Sequence, residues 1–113
     1  NAGGLVTDDA IRSLSASQRL LGTQEIIVIM HHDCGLHGAS EDEFARALIA
    51  DGVLPSWRLG AFEDVATALR RGLMRLRGSG ELLNHEGIRG FIFDPEEGTL
   101  RDVESSPGSQ EEA

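Results

Sequence analysis

Hydrophobic residues recur at helical spacing in three stretches of the chain. The first stretch predicts a helix over about residues 7–21, with Thr7 as its N-cap. The second follows Ser40, which forms a capping box with Glu43 three residues later. The third predicts a longer amphipathic helix, whose apolar stripe occupies residues 62–76.

Three shorter stretches are typical of β-strands. Residues 25–30 read Glu-Ile-Ile-Val-Ile-Met without polar alternation, which predicts a strand buried on both faces of a parallel sheet. Residues 88–93 predict a second strand. After a turn at 94–98, residues 99–103 predict a returning strand, so the last two strands are expected to form a hairpin.

This order of elements predicts an α/β fold, with a mainly parallel β-sheet flanked by α-helices and a C-terminal hairpin. A strand buried on both faces needs a neighbour on each side, and the sequence supplies too few strands. Because the chain also begins at Asn1 without a methionine, we expect it to be the C-terminal portion of a longer protein. Residues 1–103 are predicted to form a partial domain, and residues 104–113 a disordered acidic tail.

Composition excludes several classes of partner. The formal net charge is -9, and the basic residues are ten arginines with no lysine. Nucleic acids and anionic membrane surfaces need a basic face, so neither is expected as a partner. No stretch approaches the roughly 20 apolar residues of a membrane span, and no signal-peptide pattern is present, so a cytoplasmic location is expected.

The strand at 25–30 ends in the sequence His31-His32-Asp33-Cys34-Gly35. In open α/β sheets ligands bind beyond the carboxyl ends of the strands, which is where this sequence falls. His31 and Cys34 have His-x-x-Cys spacing, and imidazole and thiolate are both zinc ligands. The spacing alone leaves three interpretations open for Cys34, namely a metal ligand, a buried thiol and a redox-active thiol.

Several motifs in a fixed order resemble the β-class carbonic anhydrases, and most closely their small bacterial branch. These motifs are the Asn-Ala-Gly-Gly loop at 1–4, the helix opening Thr-Asp-Asp at 7–9, the strand at 25–30 and the His-x-Asp-Cys-Gly sequence at 31–35. Residues 88–94 also resemble the last strands of that family. The likeness covers about residues 1–103.

The resemblance implies a zinc lyase that interconverts carbon dioxide and bicarbonate. It implies that His31 and Cys34 are two of three protein ligands to Zn²⁺. The third family ligand is a cysteine in a Cys-x-Asp-x-Arg motif, which is absent from this sequence together with the Asp–Arg pair that orients the attacking oxygen. No catalytic acid or base is therefore assigned here, and the chain alone is expected to be inactive. The resemblance also implies a homodimer or a dimer of dimers.

Four residues are expected to line the pocket. The resemblance, together with the lack of a Cβ atom, implies that Gly3, Gly4 and Gly35 let the backbone approach the pocket, although turn geometry explains these glycines equally well. Asp33 either hydrogen-bonds the arginine of the absent motif or caps the backbone of its own turn.

Three further alternatives remain open from the sequence. His37 creates a His-x-x-Cys-x-x-His pattern, a potential three-ligand set within this chain. His32 is either a proton shuttle near the metal or an exposed side chain. The alternative to an enzyme is a catalytically inert, carbonic-anhydrase-like module for binding or assembly, with an incomplete metal site.

Overall fold

The structure is a computed structural model that describes residues 1–104 of the chain. Nine of the ten residues of the predicted acidic tail, 105–113, lie outside the described part. The remaining one, Glu104, forms an ion pair with Arg77 at 2.6 Å. The helices and strands, in chain order, are α1 (Asp8–Leu21), β1 (Glu25–His31), α2 (Glu41–Ala50), α3 (Val65–Arg77), β2 (Gly87–Asp94) and β3 (Thr99–Asp102), preceded by a short 3₁₀ turn at Ala2–Gly4.

The three strands form one mixed sheet in the order β1-β2-β3. β1 and β2 run parallel, with Ile26 opposite Ile88 and His31 opposite Phe93. β2 and β3 run antiparallel around the turn that ends at Gly98, which confirms the predicted hairpin. The α/β class is therefore confirmed, with one parallel and one antiparallel pair of strands among residues 1–104.

Helix α3 covers one face of this sheet and supplies most of the core. Its Leu69, Leu73 and Leu76 are fully buried, which fits the predicted apolar stripe. Alternate residues of the strands meet them because successive side chains of a strand point to opposite faces. The buried strand side chains are Ile26, Met30, Ile88 and Ile92.

The prediction that β1 is buried on both faces is wrong for the part of the chain that the structure describes. Ile27 and Ile29 point away from α3 and are 55% and 47% exposed. β1 also lies at the edge of the described sheet, with β2 as its partner on one side. The apolar run therefore reflects a face that nothing in residues 1–104 covers.

The start of α3 also differs from the prediction. Phe62 fits the helical stripe by spacing, but it lies before the helix and forms a parallel bridge with His37. Asp64 is the N-cap, since its carboxylate accepts a hydrogen bond from the backbone N–H of Thr67 at 3.0 Å. The caps of the other two long helices are as predicted, because Thr7 and Ser40 each accept a backbone hydrogen bond.

Helix α1 is fastened to the segment before β2 by the buried side chain of Gln18. Its Oε1 accepts hydrogen bonds from the backbone N–H groups of Leu83 and Asn84, at 2.8 and 3.1 Å. Its Nε2 donates to the backbone carbonyl of Asn84 at 3.2 Å. All the polar atoms of this side chain are thereby satisfied, as burial requires.

Candidate metal centre

The His-x-x-Cys turn follows directly from β1. The strand ends at His31, and a tight turn carries the chain away from the sheet toward Cys34. Because β1 and β2 are parallel, this turn lies at the edge of the sheet where both strands have their carboxyl ends.

His31 presents one ring nitrogen that is free to bind a metal. Its Nδ1 lies 2.8 Å from the backbone carbonyl of His32, so Nδ1 carries the proton and donates it. Nε2 therefore keeps its lone pair, and the side chain is exposed. Metal-binding histidines usually have this arrangement, in which the second nitrogen donates to a carbonyl or carboxylate and fixes the ring.

Cys34 is half-buried and has a free thiol. Its carbonyl accepts a hydrogen bond from the backbone N–H of His37 at 2.9 Å. His31 and Cys34 thus lie on either side of a two-residue turn. The chain after Cys34 is held by the backbone hydrogen bond from His37.

Asp33 adopts a left-handed conformation, with φ of 60°. Asp tolerates this conformation better than most residues, which is the turn role expected from the sequence. Its carboxylate is 97% exposed and approaches the His37 Nδ1 to 3.9 Å. It is therefore sterically free to accept a hydrogen bond from a group outside residues 1–104.

His37 has no ring nitrogen left for a metal. Its Nδ1 accepts a hydrogen bond from the backbone N–H of Asp33 at 2.9 Å. Its Nε2 therefore carries the proton and donates it to the carbonyl of Glu63 at 2.8 Å. The three-ligand set suggested by the spacing is not formed, and among the described residues no group of three or more His, Cys, Asp or Glu side chains can hold a metal ion.

His32 is exposed, and its ring centroid lies 6.1 Å from that of His37. Its contact with the site is made by the backbone carbonyl that accepts from His31, so its imidazole takes no part in orienting that ring. The exposed-side-chain interpretation accounts for this geometry.

The two glycines of the first turn lie close to β1. A Cβ atom at Gly4 would clash with the carbonyl oxygen of Ile29, and one at Gly3 would lie 2.7 Å from the side chain of Leu36. Both glycines have positive φ. Gly35 differs, because a Cβ atom there would meet no other atom within 4 Å.

From the sequence we missed the role of the Glu41 carboxylate, which supports the backbone of the loop at residues 59–61. The Glu41 side chain, at the start of α2, accepts hydrogen bonds from the backbone N–H groups of Leu59, Gly60 and Ala61. Burial raises the pKa of Glu41, but these three donors and nearby Arg58 outweigh it, so the net shift lowers the pKa. The contacts join residues 18–20 positions apart, and the capping-box pattern around Ser40 gave no sign of them.

Comparison with known proteins identifies the family. No protein-family model matches the sequence. The chain is 43% identical to β-carbonic anhydrase 1 of Mycobacterium tuberculosis over 104 residues, which cover 91% of this chain and 64% of that protein. The solved structure of a carbonic anhydrase from Streptococcus mutans matches with a TM-score of 0.82 at 38% identity, covering 91% of this chain and 63% of that one. The chain belongs to the β-class carbonic anhydrase family.

This β-class chain is also similar to proteins named carbon disulfide hydrolases. A carbon disulfide hydrolase of Saccharolobus solfataricus is 49% identical over 74 residues, which cover 57% of this chain and 36% of that protein. A second, from Acidithiobacillus thiooxidans, is 34% identical over 120 residues, covering 89% of this chain and 60% of the relative. The chain thus spans less than two thirds of the length of these relatives.

The donors of this β-class chain fit part of a zinc site. The free nitrogen of His31 and the thiol of Cys34 are ligands of the type and spacing that Zn²⁺ accepts. A structural or catalytic zinc needs at least three protein ligands, and residues 1–104 bring no three such side chains together. None of the helices in this part of the chain is long and apolar enough to cross a membrane.

Proposed function

We propose that this chain carries two protein ligands of a zinc enzyme that reversibly hydrates carbon dioxide to bicarbonate. The observation that supports this most strongly is the ring of His31, which is fixed by its Nδ1–H···O=C bond with Nε2 left free. His31 lies three positions before Cys34 in the sequence of a β-class carbonic anhydrase. Bound zinc supplies Lewis-acid chemistry that brings the pKa of water down to about 7.

His31 and Cys34 hold the metal in this proposal, His31 through Nε2 and Cys34 as thiolate. The third protein ligand is a cysteine in a Cys-x-Asp-x-Arg segment outside this sequence. The Asp–Arg pair of that segment orients the attacking oxygen, and the exposed carboxylate of Asp33 is free to hydrogen-bond its arginine. The residues of this chain therefore bind and orient, and no proton transfer is assigned to them.

The backbone near the metal is shaped by glycine in the same proposal. Gly3 and Gly4 let the first turn lie against β1 and against Leu36. Gly35 follows Cys34 directly, and the space where its side chain would project is open.

The test uses the polypeptide as its gene encodes it. We expect one zinc per subunit by elemental analysis and carbon dioxide hydration by stopped-flow pH-indicator assay. His31→Ala and Cys34→Ser should each lower zinc affinity at least 10-fold and hydration in parallel, since each removes a ligand. His85→Ala is the matched control, because His85 bonds to the carbonyl of Ser79, outside the turn. Full zinc retention in both ligand variants would refute the assignment.

A second candidate activity is the hydrolysis of carbon disulfide, which the similarity to carbon disulfide hydrolases favours. Carbon disulfide and carbon dioxide are both linear molecules with an electrophilic central carbon, so the same ligands can serve either reaction. Release of hydrogen sulfide from carbon disulfide, compared with carbon dioxide hydration by the same preparation, separates the two. A protein that holds no zinc and has neither activity would favour the inert binding or assembly module with its incomplete metal site.

We further propose that the protein assembles into a homodimer or a dimer of dimers. The uncovered face of the sheet supports this, because it exposes Ile27, Ile29 and Leu100 together. Light scattering coupled to size-exclusion chromatography of the encoded polypeptide measures the assembly directly, and a monomer at micromolar concentration would contradict the proposal.

A further inference from the structure

The imidazole of His37 joins the metal-site turn to the segment that leads into α3. It accepts from the backbone N–H of Asp33 and donates to the carbonyl of Glu63, at 2.9 and 2.8 Å. Its ring also stacks on that of Phe62, with centroids 5.7 Å apart and planes 16° from parallel. The side chain is 24% exposed, so these contacts are partly shielded from water.

Backbone bonding runs beside this side-chain link. The carbonyl of Phe62 accepts from Gly38 at 2.7 Å, and the N–H of Phe62 donates to Leu36 at 3.1 Å. These bonds hold the chain on the C-terminal side of Cys34. His37 is the group that reaches back across the turn to Asp33, between the two metal-binding residues.

The bond to Asp33 falls at the least favourable backbone position of the turn. Asp33 has a positive φ, a conformation that most non-glycine residues avoid unless their surroundings hold it. Asp33 lies between His31 and Cys34, so its backbone conformation helps to set where these two side chains lie relative to each other. A hydrogen bond to the Asp33 N–H opposes rotation to a more ordinary conformation.

We propose that His37 is a positioning residue of the metal site, which fixes the His31–Cys34 turn from outside the ligand set. This inference rests on the proposed zinc role of those two residues. His37 acts through its two hydrogen bonds, Nδ1 to the turn and Nε2 to the α3 side, and its ring nitrogens are both occupied, so it does not bind the metal itself. Supporting groups of this kind typically change metal affinity about 10–100-fold when removed.

Two variants of the encoded polypeptide separate hydrogen bonding from packing. His37→Phe keeps an aromatic ring against Phe62 but removes both hydrogen bonds. His37→Asn places an amide oxygen near the position of Nδ1 and can restore the bond to Asp33. His85→Phe is the matched control, since it makes the same change at a histidine outside the turn.

The first measurement is Co²⁺ affinity, followed through the thiolate-to-cobalt absorption band. The second is the hydrogen-exchange rate of the Asp33 amide in the metal-free protein. We expect His37→Phe to weaken Co²⁺ binding about 10-fold and to speed exchange at Asp33, while His37→Asn recovers most of both and His85→Phe changes neither.

The outcomes distinguish this inference from the proposed function. A wild-type protein that binds no Co²⁺ would overturn the metal site, and the positioning role with it. A wild-type protein that binds Co²⁺ while His37→Phe retains full affinity and slow exchange at Asp33 would overturn the positioning role alone. If His37→Phe does not fold, His37→Asn provides the test. A His37→Asn protein that folds like wild type but binds Co²⁺ more weakly and exchanges faster at Asp33 would count against the role of Nδ1.

Discussion

Single residues of the first turn and of the metal-site turn are fixed by different forces. Gly4 is required by space, because the position of its missing Cβ lies against the backbone of β1. Asp33 has a positive φ, and its backbone N–H is held by a hydrogen bond to His37. Both residues have positive φ, so each is a sensitive position for substitution.

Gly4→Ala tests the close approach at Ile29. We expect it to lower the free energy of unfolding by about 2–5 kcal/mol, because left-handed strain of about 1–2 kcal/mol adds to an overpacking cost of about 1–3 kcal/mol. Gly22→Ala is the control, since Gly22 also has positive φ but a Cβ there meets no atom. It should show only the strain, measured by urea denaturation. Equal losses for both variants would mean that β1 moves to make room.

The thiol of Cys34 offers a test that is independent of activity. Zinc should slow alkylation of Cys34 by iodoacetamide, and a chelator should restore the rate, because a metal-bound thiolate is a poorer nucleophile than a free one. Peptide mapping by mass spectrometry assigns the modified position. An alkylation rate that zinc leaves unchanged would favour the redox-active interpretation of this cysteine.

The helices and strands show which parts of the fold can be predicted from neighbouring residues in the sequence. The caps at Thr7 and Ser40 were predictable, because each depends on residues within one turn of helix. The start of α3 was not, since Phe62 has helical spacing and its bridge to His37 joins residues 25 positions apart. The His31–Cys34 pair was predictable from spacing and resemblance. The ring orientation of His31 and the contacts of His37 were not, because they depend on how the turn folds.

Asp64→Ala tests the cap of α3. We expect a loss of about 1 kcal/mol in the free energy of unfolding, because the backbone N–H of Thr67 loses its acceptor. Glu63→Ala is the control, a neighbouring acidic residue whose link to His37 is made by its backbone carbonyl. Chemical denaturation of both variants measures the difference, and equal stability of the two would contradict the capping role.

Glu41→Gln tests the carboxylate that holds the loop at 59–61. Its Oε1 accepts from Gly60 and Ala61 and its Oε2 from Leu59, and an amide has only one acceptor oxygen. We therefore expect a lower thermal unfolding midpoint at neutral pH. Asp42→Asn is the control, because it makes the same change of charge at the next residue, which is exposed.

The effect of Glu41→Gln should depend on pH in one direction. The folded-state pKa of Glu41 is lowered from its usual 4.5, so its stabilisation is complete above the unfolded-state pKa and is lost as pH falls through the folded value. The difference between wild type and variant should shrink as pH drops below 4.5. A difference that grows in acid would show that the three backbone donors do not act on a carboxylate.

At the scale of the whole molecule, the described sheet has one covered face and one open face. The open face carries Ile27 and Leu100, each more than half exposed, beside the free edge of β1. Monomeric proteins rarely leave a sheet face of this kind in water. The prediction that β1 is buried on both faces was based on the same residues. Residues 1–104 alone leave one of those faces uncovered.

Ile27→Glu tests whether the encoded protein covers this face. If another segment or subunit packs there, burial of a charge should cost about 2–4 kcal/mol or disrupt assembly. Met74→Glu is the control, on the outer side of α3 and 71% exposed, and should change stability by less than about 0.5 kcal/mol. Calorimetry and light scattering on both variants measure the outcome. Indistinguishable variants would mean that the face stays in contact with water.

The three hydrogen bonds of Gln18 have a consequence for how this molecule can vary. Each ends on a main-chain atom of Leu83 or Asn84, so the fastening of α1 makes no demand on the identity of either side chain. In a library of substitutions, position 18 should be intolerant while position 83 accepts most residue types. Position 83 can therefore vary during evolution while the helix keeps its place, whereas the side chain of Asn84 also accepts a hydrogen bond from the N–H of Glu86.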